Sequence, residues 1–201
     1  MSNTVAQLAR RVRAIKPAQR RRLIAIAGPP ASGKSTLAAD LVAQLGPTAV
    51  LVPMDGFHLD NRILDARGLR ARKGAPETFD AAGFVHMIGR LATEDEIAIP
   101  VFDRTRDIAI AGAQIVGPDT DTAIVEGNYL LLNASPWDML HPLWDLSVFL
   151  NVPESELTTR LIRRWLDHGL SARDAETRAR ANDLPNAVLI IENSVTADIS
   201  L

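Results

Sequence analysis

Residues 28–36 read Gly28-Pro29-Pro30-Ala31-Ser32-Gly33-Lys34-Ser35-Thr36. Glycine, four residues, glycine, lysine and serine is the pattern of a phosphate cradle. Consecutive backbone N–H groups and the N-terminus of a following helix can face phosphate oxygens, Gly33 permits close approach, and Lys34 can reach the β and γ oxygens of ATP. The Ser35 hydroxyl is then available to Mg2+. The plainer alternative is a strand-to-helix turn with no ligand. A second chemical group follows in Met54-Asp55-Gly56-Phe57-His58, a carboxylate directly after an apolar run. If the runs before Gly28 and before Asp55 are strands of one parallel sheet, Asp55 lies at its carboxyl edge near the γ-phosphate, where an acceptor hydroxyl would need a base.

Such a site requires a strand, loop, helix, strand frame. Leu23–Ala27 is apolar without alternation, as in a strand buried on both faces. Ser35–Leu45 places Leu37, Leu41, Val42 and Leu45 on one helical face and is stopped by Gly46 and Pro47, and Ala49–Pro53 is the next buried strand. Ile97, Ile99 and Val101 alternate, which suggests a strand that Ile108 and Ile110 would return as a hairpin; Thr122–Glu126 and Leu146–Leu150 are further strands. Helices are expected at Ala81–Leu91, at Glu154–His168 and after the capping-box variant Ser171-Ala-Arg-Asp174. The polar stretch Asp60–Gly74, with Arg62, Arg67, Arg70, Arg72 and Lys73, reads as an ordered loop that moves. Near the end two readings stand: propensity makes Val188–Ile191 a strand, whereas Leu184, Val188, Ile191 and Val195 form a helical stripe that tolerates Pro185 as a kink.

Length and composition set the limits. With 201 residues, 47% of them hydrophobic, the chain suits one compact domain. The first 39 residues hold no Asp or Glu. Their Val5, Leu8, Val12 and Ile15 mark one apolar helical stripe that Pro17 would end, so residues 1–22 read as a helix packed on a domain of residues 23–201; a basic targeting segment is the alternative. Lys and Arg number 22 against 24 Asp and Glu, a net charge of −2, which excludes a global field drawing the chain to nucleic acid or anionic lipid. No apolar stretch approaches the roughly 18 residues of a membrane span. Absence of cysteine removes disulfides, thiolate metal sites and cysteine nucleophiles, and fits a cytoplasmic setting.

Other features narrow the class of nucleotide-binding protein. No Asn-Lys-x-Asp string for guanine and no Leu-Ser-Gly-Gly signature are present, and the strand ending at Glu126 lacks the Asp-Glu pair of many ATPases. Arg160 and Arg163 stand at i and i+3 on one helix, which by spacing alone reads as a solvated face.

Together these residues resemble the phosphoribulokinase and uridine kinase family of P-loop kinases, which includes bacterial pantothenate kinase. The likeness rests on Gly28–Thr36, Asp55-Gly-Phe-His58, Arg72–Asp80, Pro100-Val-Phe-Asp103, Val125-Glu-Gly127, Arg160–Arg164 and Ala197-Asp198, and is greatest to a subgroup described as fructose transport system kinases. It implies an α/β three-layer sandwich with a mainly parallel five-stranded sheet and a helical lid, ending in a helix at Asn182–Asn193 and a strand at Ala197–Leu201. It implies ATP and Mg2+ as cofactors, Asp55 as general base, Glu126 joining Ser35 around the metal and contacting the substrate, and Arg160, Arg163 and Arg164 on the lid. His58 is a backbone-bonded loop residue or an acceptor contact. Arg104 and Arg106 are acceptor contacts or a charged hairpin tip. Phe102 replaces the tyrosine usual in nucleoside kinases, which counts against uridine. The expected acceptor is a small metabolite, a sugar first, with nucleosides and pantothenate-like alcohols following; a nucleotide-binding regulatory module is the rival, and a homodimer is left open.

Overall fold

The computed structural model describes residues 2–201. Along the chain run α1 (Ser2–Ala14), β1 (Arg22–Ala27), α2 (Lys34–Leu45), β2 (Ala49–Pro53), α3 (Asn61–Ala66), α4 (Ala81–Thr93), β3 (Ile97–Asp103), β4 (Ile108–Val116), β5 (Thr122–Gly127), β6 (Leu146–Phe149), α5 (Glu154–Asp167), α6 (Ala172–Arg178), α7 (Leu184–Asn193) and β7 (Ile199–Ser200). The unalternating apolar runs become the interior of one parallel sheet in the order β2-β5-β1-β6-β7, because only burial on both faces suits such runs. Successive residues of β1 serve opposite faces. Leu23 and Ala25 pack with Ala123, Val125, Val52, α4 and Ile190 of α7, whereas Ile24 and Ile26 pack with Ile124, Val148, Leu41 of α2 and Leu8, Ala9 and Val12 of α1. The result is three layers, helix on sheet on helix.

Helix α1 turns its basic residues outward, and Arg13 donates to the Gln44 carbonyl at 2.6 Å, at the C-terminal end of α2. The short β7 is held by Asp198, whose carboxylate accepts from the Ser147 amide at 2.8 Å and its hydroxyl at 2.7 Å. β3 and β4 pair antiparallel as a separate two-stranded sheet. Among the described residues no helix is long and apolar enough to cross a membrane.

Two segments differ from the sequence reading. The stretch 60–74 holds helix α3 and a short turn at Arg70–Arg72, since Asp60 caps α3 by accepting from the Arg62 amide at 2.9 Å and Leu64 is fully buried. At the end of the chain a helix prevails over strand propensity, but not on the expected stripe: Leu184, Ala187 and Ile190 of α7 are buried whereas Ile191 is exposed, and Pro185 falls in the first turn of α7. A π turn at Ala179–Asp183 joins α6 to α7, and the final strand is confined to Ile199–Ser200.

Candidate active site

Sheet register assembles the site. Ile26 of β1 and Pro53 of β2 both pair with Glu126 of β5, so the three strands end level. Gly28 and Asp55 therefore leave the sheet at one carboxyl edge, beside the Glu126 side chain. The cradle follows β1 at once. Ala31 (φ 63°) and Gly33 (φ 95°) lie in the left-handed region, and Gly33 immediately precedes α2, so the loop winds its amides toward one concavity at a helix N-terminus. Ser32 is buried there and its hydroxyl has no protein partner. Lys34 is enclosed in the same region, its ammonium 3.5 Å from the Pro29 carbonyl.

The Ser35 hydroxyl donates to a Glu126 carboxylate oxygen at 3.2 Å. Burial pushes the Glu126 carboxyl up, opposed by Lys34, and burial pushes the Lys34 ammonium down, opposed by Glu126 and Asp55. A hydroxyl and one carboxylate are hard oxygen donors, too few to cage a cation alone, and among the described residues no cluster of three acidic or histidine side chains supplies a cage elsewhere. That donor set fits Mg2+, which keeps waters and phosphate oxygens as its other ligands.

Asp55 occupies a tight turn, Met54–Phe57, that packs closely on its neighbours. A Cβ on Gly56 would come within 2.5 Å of the Pro100 carbonyl oxygen, and one on Gly127 within 2.6 Å of Met54 Cβ. Both glycines thus let the exits of β2 and β5 and the strand β3 converge. Arg104, beyond β3, donates to the Asp55 carboxylate at 2.6 Å. His58 bonds the Asp55 carbonyl through Nδ1 at 2.8 Å and lies between Phe79 and Phe102, with ring centroids 4.1 and 4.7 Å away. A carbonyl can only accept, so Nδ1 carries the proton and Nε2 keeps its lone pair. Burial pushes His58 down, against the pull of Asp55, which favours this neutral form. The backbone bond of the plainer reading is made, and the ring also lines the cleft.

The cleft has a volume of about 740 Å³ and runs from the cradle, past Asp55, to Lys73, Phe102 and Asn186. Among the residues singled out in the sequence, Pro30, Ala31, Gly33, Lys34, Ser35, Thr36, Asp55, His58, Arg104 and Glu126 all line it. Arg160 stands behind the cradle, donating to the carbonyls of Ala31 at 3.2 Å and Ser32 at 3.3 Å. Arg163 is not brought to the cleft. It points to solvent and pairs with Asp167 at 3.0 Å, while Arg164 and Trp165 line the cleft instead. The reason is helical phase: Leu157 and Leu161 are the buried positions of α5, and Arg164 continues their face. Asn128, Trp165, Asp183 and Asn186 also line the cleft without having been singled out. Only Asn128, in the string after Glu126, carried a local signal.

No protein-family model matches the chain. It is 38% identical over 196 residues to a Schizosaccharomyces pombe protein provisionally named a uridine kinase, covering 91% of this chain and 83% of that one. It is 36% identical over 156 residues to the pantothenate kinase of Myxococcus xanthus, covering 71% of this chain and 47% of that one. A crystal structure from Silicibacter sp. TM1040, provisionally named a fructose transport system kinase, shares 50% identity and a TM-score of 0.93 over 98% of both chains. Rhodobacter spheroides phosphoribulokinase shares the fold at 16% identity, with a TM-score of 0.55 over 85% of this chain and 68% of that one. With the cradle, the carboxylate past β2 and the parallel sheet in place, the chain belongs to the phosphoribulokinase and uridine kinase family of P-loop kinases, phosphotransferases that act on an alcohol group.

Proposed function

We propose that the protein transfers the γ-phosphoryl group of ATP to a hydroxyl of a small, uncharged, sugar-like metabolite. In this reading the amides of residues 28–36 bind the phosphates and Lys34 balances charge on the β and γ oxygens. Ser35 and Glu126 hold Mg2+, which when bound supplies further positive charge to the phosphates. Asp55 takes the proton of the attacking hydroxyl, Arg164 faces the phosphoryl group from α5, and Arg160 braces the cradle from behind through the Ala31 and Ser32 carbonyls. His58 accepts a hydrogen bond from the acceptor through Nε2, and Arg104 moves aside from Asp55 as the acceptor enters.

The observation that carries the choice of an uncharged acceptor is the pairing of nearly every cation on the acceptor side. Arg62 pairs with Asp60 at 3.1 Å, Arg70 with Asp65 at 2.9 Å, Arg72 with Glu77 at 2.5 Å and Lys73 with Asp107 at 2.8 Å. What this side of the cleft offers instead is neutral: the amides of Asn128 and Asn186, His58, and the aromatic faces of Phe79 and Phe102. The name of the Silicibacter structure points the same way. A pantothenate-type acceptor is the second reading, favoured by the likeness to the Myxococcus enzyme.

The test is acceptor-dependent release of ADP from Mg-ATP over a panel of sugars, polyols, sugar phosphates, nucleosides and pantothenate. We expect a neutral sugar to be turned over with kcat/KM changing less than about twofold between low and physiological ionic strength. Turnover of anionic acceptors alone would replace this reading with the second. ATP hydrolysis indifferent to every metabolite would remove the acceptor altogether.

A further inference from the structure

Arg178 joins the two sides of the cleft. Arg178, the last residue of α6, donates through Nη1 to the Ala71 carbonyl and through Nη2 to the Lys73 carbonyl at 3.4 Å. Its guanidinium also stacks on Trp165 of α5, with the central carbon 5.2 Å from the ring centroid. Trp165 is itself fixed, its indole N–H donating to Asp183 at 2.5 Å, while the guanidinium carbon of Arg164 lies 5.8 Å from the same ring. The π turn that begins after Arg178 shapes this contact. It places Asn182 so that its amide donates to the same Lys73 carbonyl at 3.1 Å, and leaves Asp183 facing Trp165.

Each end of the link leads into the site. On one side, α5 carries Arg160 against the cradle carbonyls and Arg164 in the cleft. On the other, the carbonyls of residues 71–73 belong to the segment that delivers Lys73, whose ammonium is held by Asn61 at 2.8 Å and by the Asp107 carbonyl at 2.9 Å. The next residue, Gly74, gives its carbonyl to the Tyr129 hydroxyl at 2.6 Å. A planar guanidinium can grip two carbonyls at its edge while its face lies on an indole, which an ammonium cannot do, and its charge does not titrate.

We propose that Arg178 is a positioning residue that couples the halves of the cleft: when nucleotide engages α5, the acceptor-side segment 70–74 is drawn along and ordered with it. The proposal rests on the reading that ATP occupies the cradle that Arg160 braces, with Arg164 facing it in the cleft. It makes nucleotide binding prepare the acceptor subsite before any acceptor arrives.

Hydrogen exchange of the full chain, with and without saturating Mg-ADP, tests this without knowledge of the acceptor. Calorimetry on the same samples reports nucleotide affinity. In the unsubstituted protein Mg-ADP should slow exchange in peptides spanning 69–75 by about fivefold or more, the usual lower range of coupling between sites. In Arg178→Gln the nucleotide should bind within about threefold of normal affinity while this nucleotide-dependent protection falls below about 1.5-fold. Arg178→Lys, which keeps the charge and loses the fork, should do the same, and it serves if the glutamine variant does not fold. A merely structural role would change exchange equally with and without nucleotide. Protection that responds to Mg-ADP as fully in both variants as in the unsubstituted protein overturns the proposal. So does unchanged exchange at 69–75 in the unsubstituted protein when calorimetry shows nucleotide bound. Failure of Mg-ADP to bind at all overturns the cradle reading itself, and the coupling with it.

Discussion

At the scale of residues, the informative fact is that Asp55 already holds a cation. An ion pair with Arg104 at 2.6 Å keeps the carboxylate oriented, and an acceptor hydroxyl must compete for the same oxygens. Asp55→Asn should lower kcat by about 10²- to 10⁴-fold, with calorimetric affinity for Mg-ATP retained; normal turnover would exclude a base at this position. Lys34→Ala and Ser35→Ala should act by separate routes, the first weakening nucleotide binding and turnover together, the second raising the Mg2+ needed for half-maximal rate. His58 supplies a pH test. Because burial holds its folded pKa below the ordinary 6.5, the unfolded chain takes up this proton first as pH falls. The histidine therefore costs the fold stability from about pH 6.5 downward, the loss growing until the folded value is reached. Protonation of Nε2 in the folded protein also turns an acceptor into a donor, so KM for the acceptor should rise toward low pH. His58→Ala should raise that KM by about tenfold at neutral pH, one hydrogen bond's worth, and flatten its pH dependence while nucleotide affinity stays put. An acceptor KM indifferent to the substitution would leave His58 with its backbone bond alone.

At the scale of elements, α5 shows what periodicity can and cannot deliver. Arg160 and Arg163 are spaced to share a face, yet the face that packs is set by Leu157 and Leu161, and Arg164 completes it. Arg164→Ala should therefore lower kcat by about tenfold or more, and Arg163→Ala should stay within about twofold of the unsubstituted rate. The opposite ranking in steady-state kinetics would mean that α5 turns on its axis during turnover. The cradle was legible because its chemistry is contiguous, strand then glycines then helix, and Asp55 because it follows a strand directly. Asp183 and Asn186 were not, since their place in the cleft depends on a π turn that no local spacing announces, and Trp165 was not, since its place depends on the phase set by Leu157 and Leu161. Segment 60–74 was legible in charge but not in form: its polar residues suggested a loop, while one buried leucine and one capping aspartate suffice for a helical turn.

At the scale of the whole molecule, the hairpin of β3 and β4, which brings Phe102 and Arg104 to the cleft, must be fixed to the parallel sheet, and Arg21 does this from just before β1. Its side chain is fully buried, and no carboxylate bonds it. Its five hydrogen bonds go to backbone carbonyls: Leu91 at 2.7 Å, Glu94 and Asp95 at 2.8 Å, Thr120 at 3.2 Å and Gly117 at 3.3 Å. These lie in the last turn of α4 and in the two connections that flank the hairpin, from α4 into β3 and from β4 into β5. The arrangement satisfies a buried cation with dipoles alone, and it leaves five acceptors orphaned if the guanidinium is removed. Arg21→Met fills the volume but supplies no donor, so stability should fall by about 3 kcal/mol or more, and Tm by roughly 6–12 °C for a chain of this size. Because the cradle and α2 lie on the far side of β1 from these connections, nucleotide affinity at low temperature should survive while kcat/KM for the acceptor drops. Scanning calorimetry and nucleotide titration on one preparation read both quantities. A Tm within about 2 °C of the unsubstituted protein would show that the connections hold themselves, and a parallel loss of nucleotide affinity would show that the hairpin and the cradle do not separate as the geometry indicates.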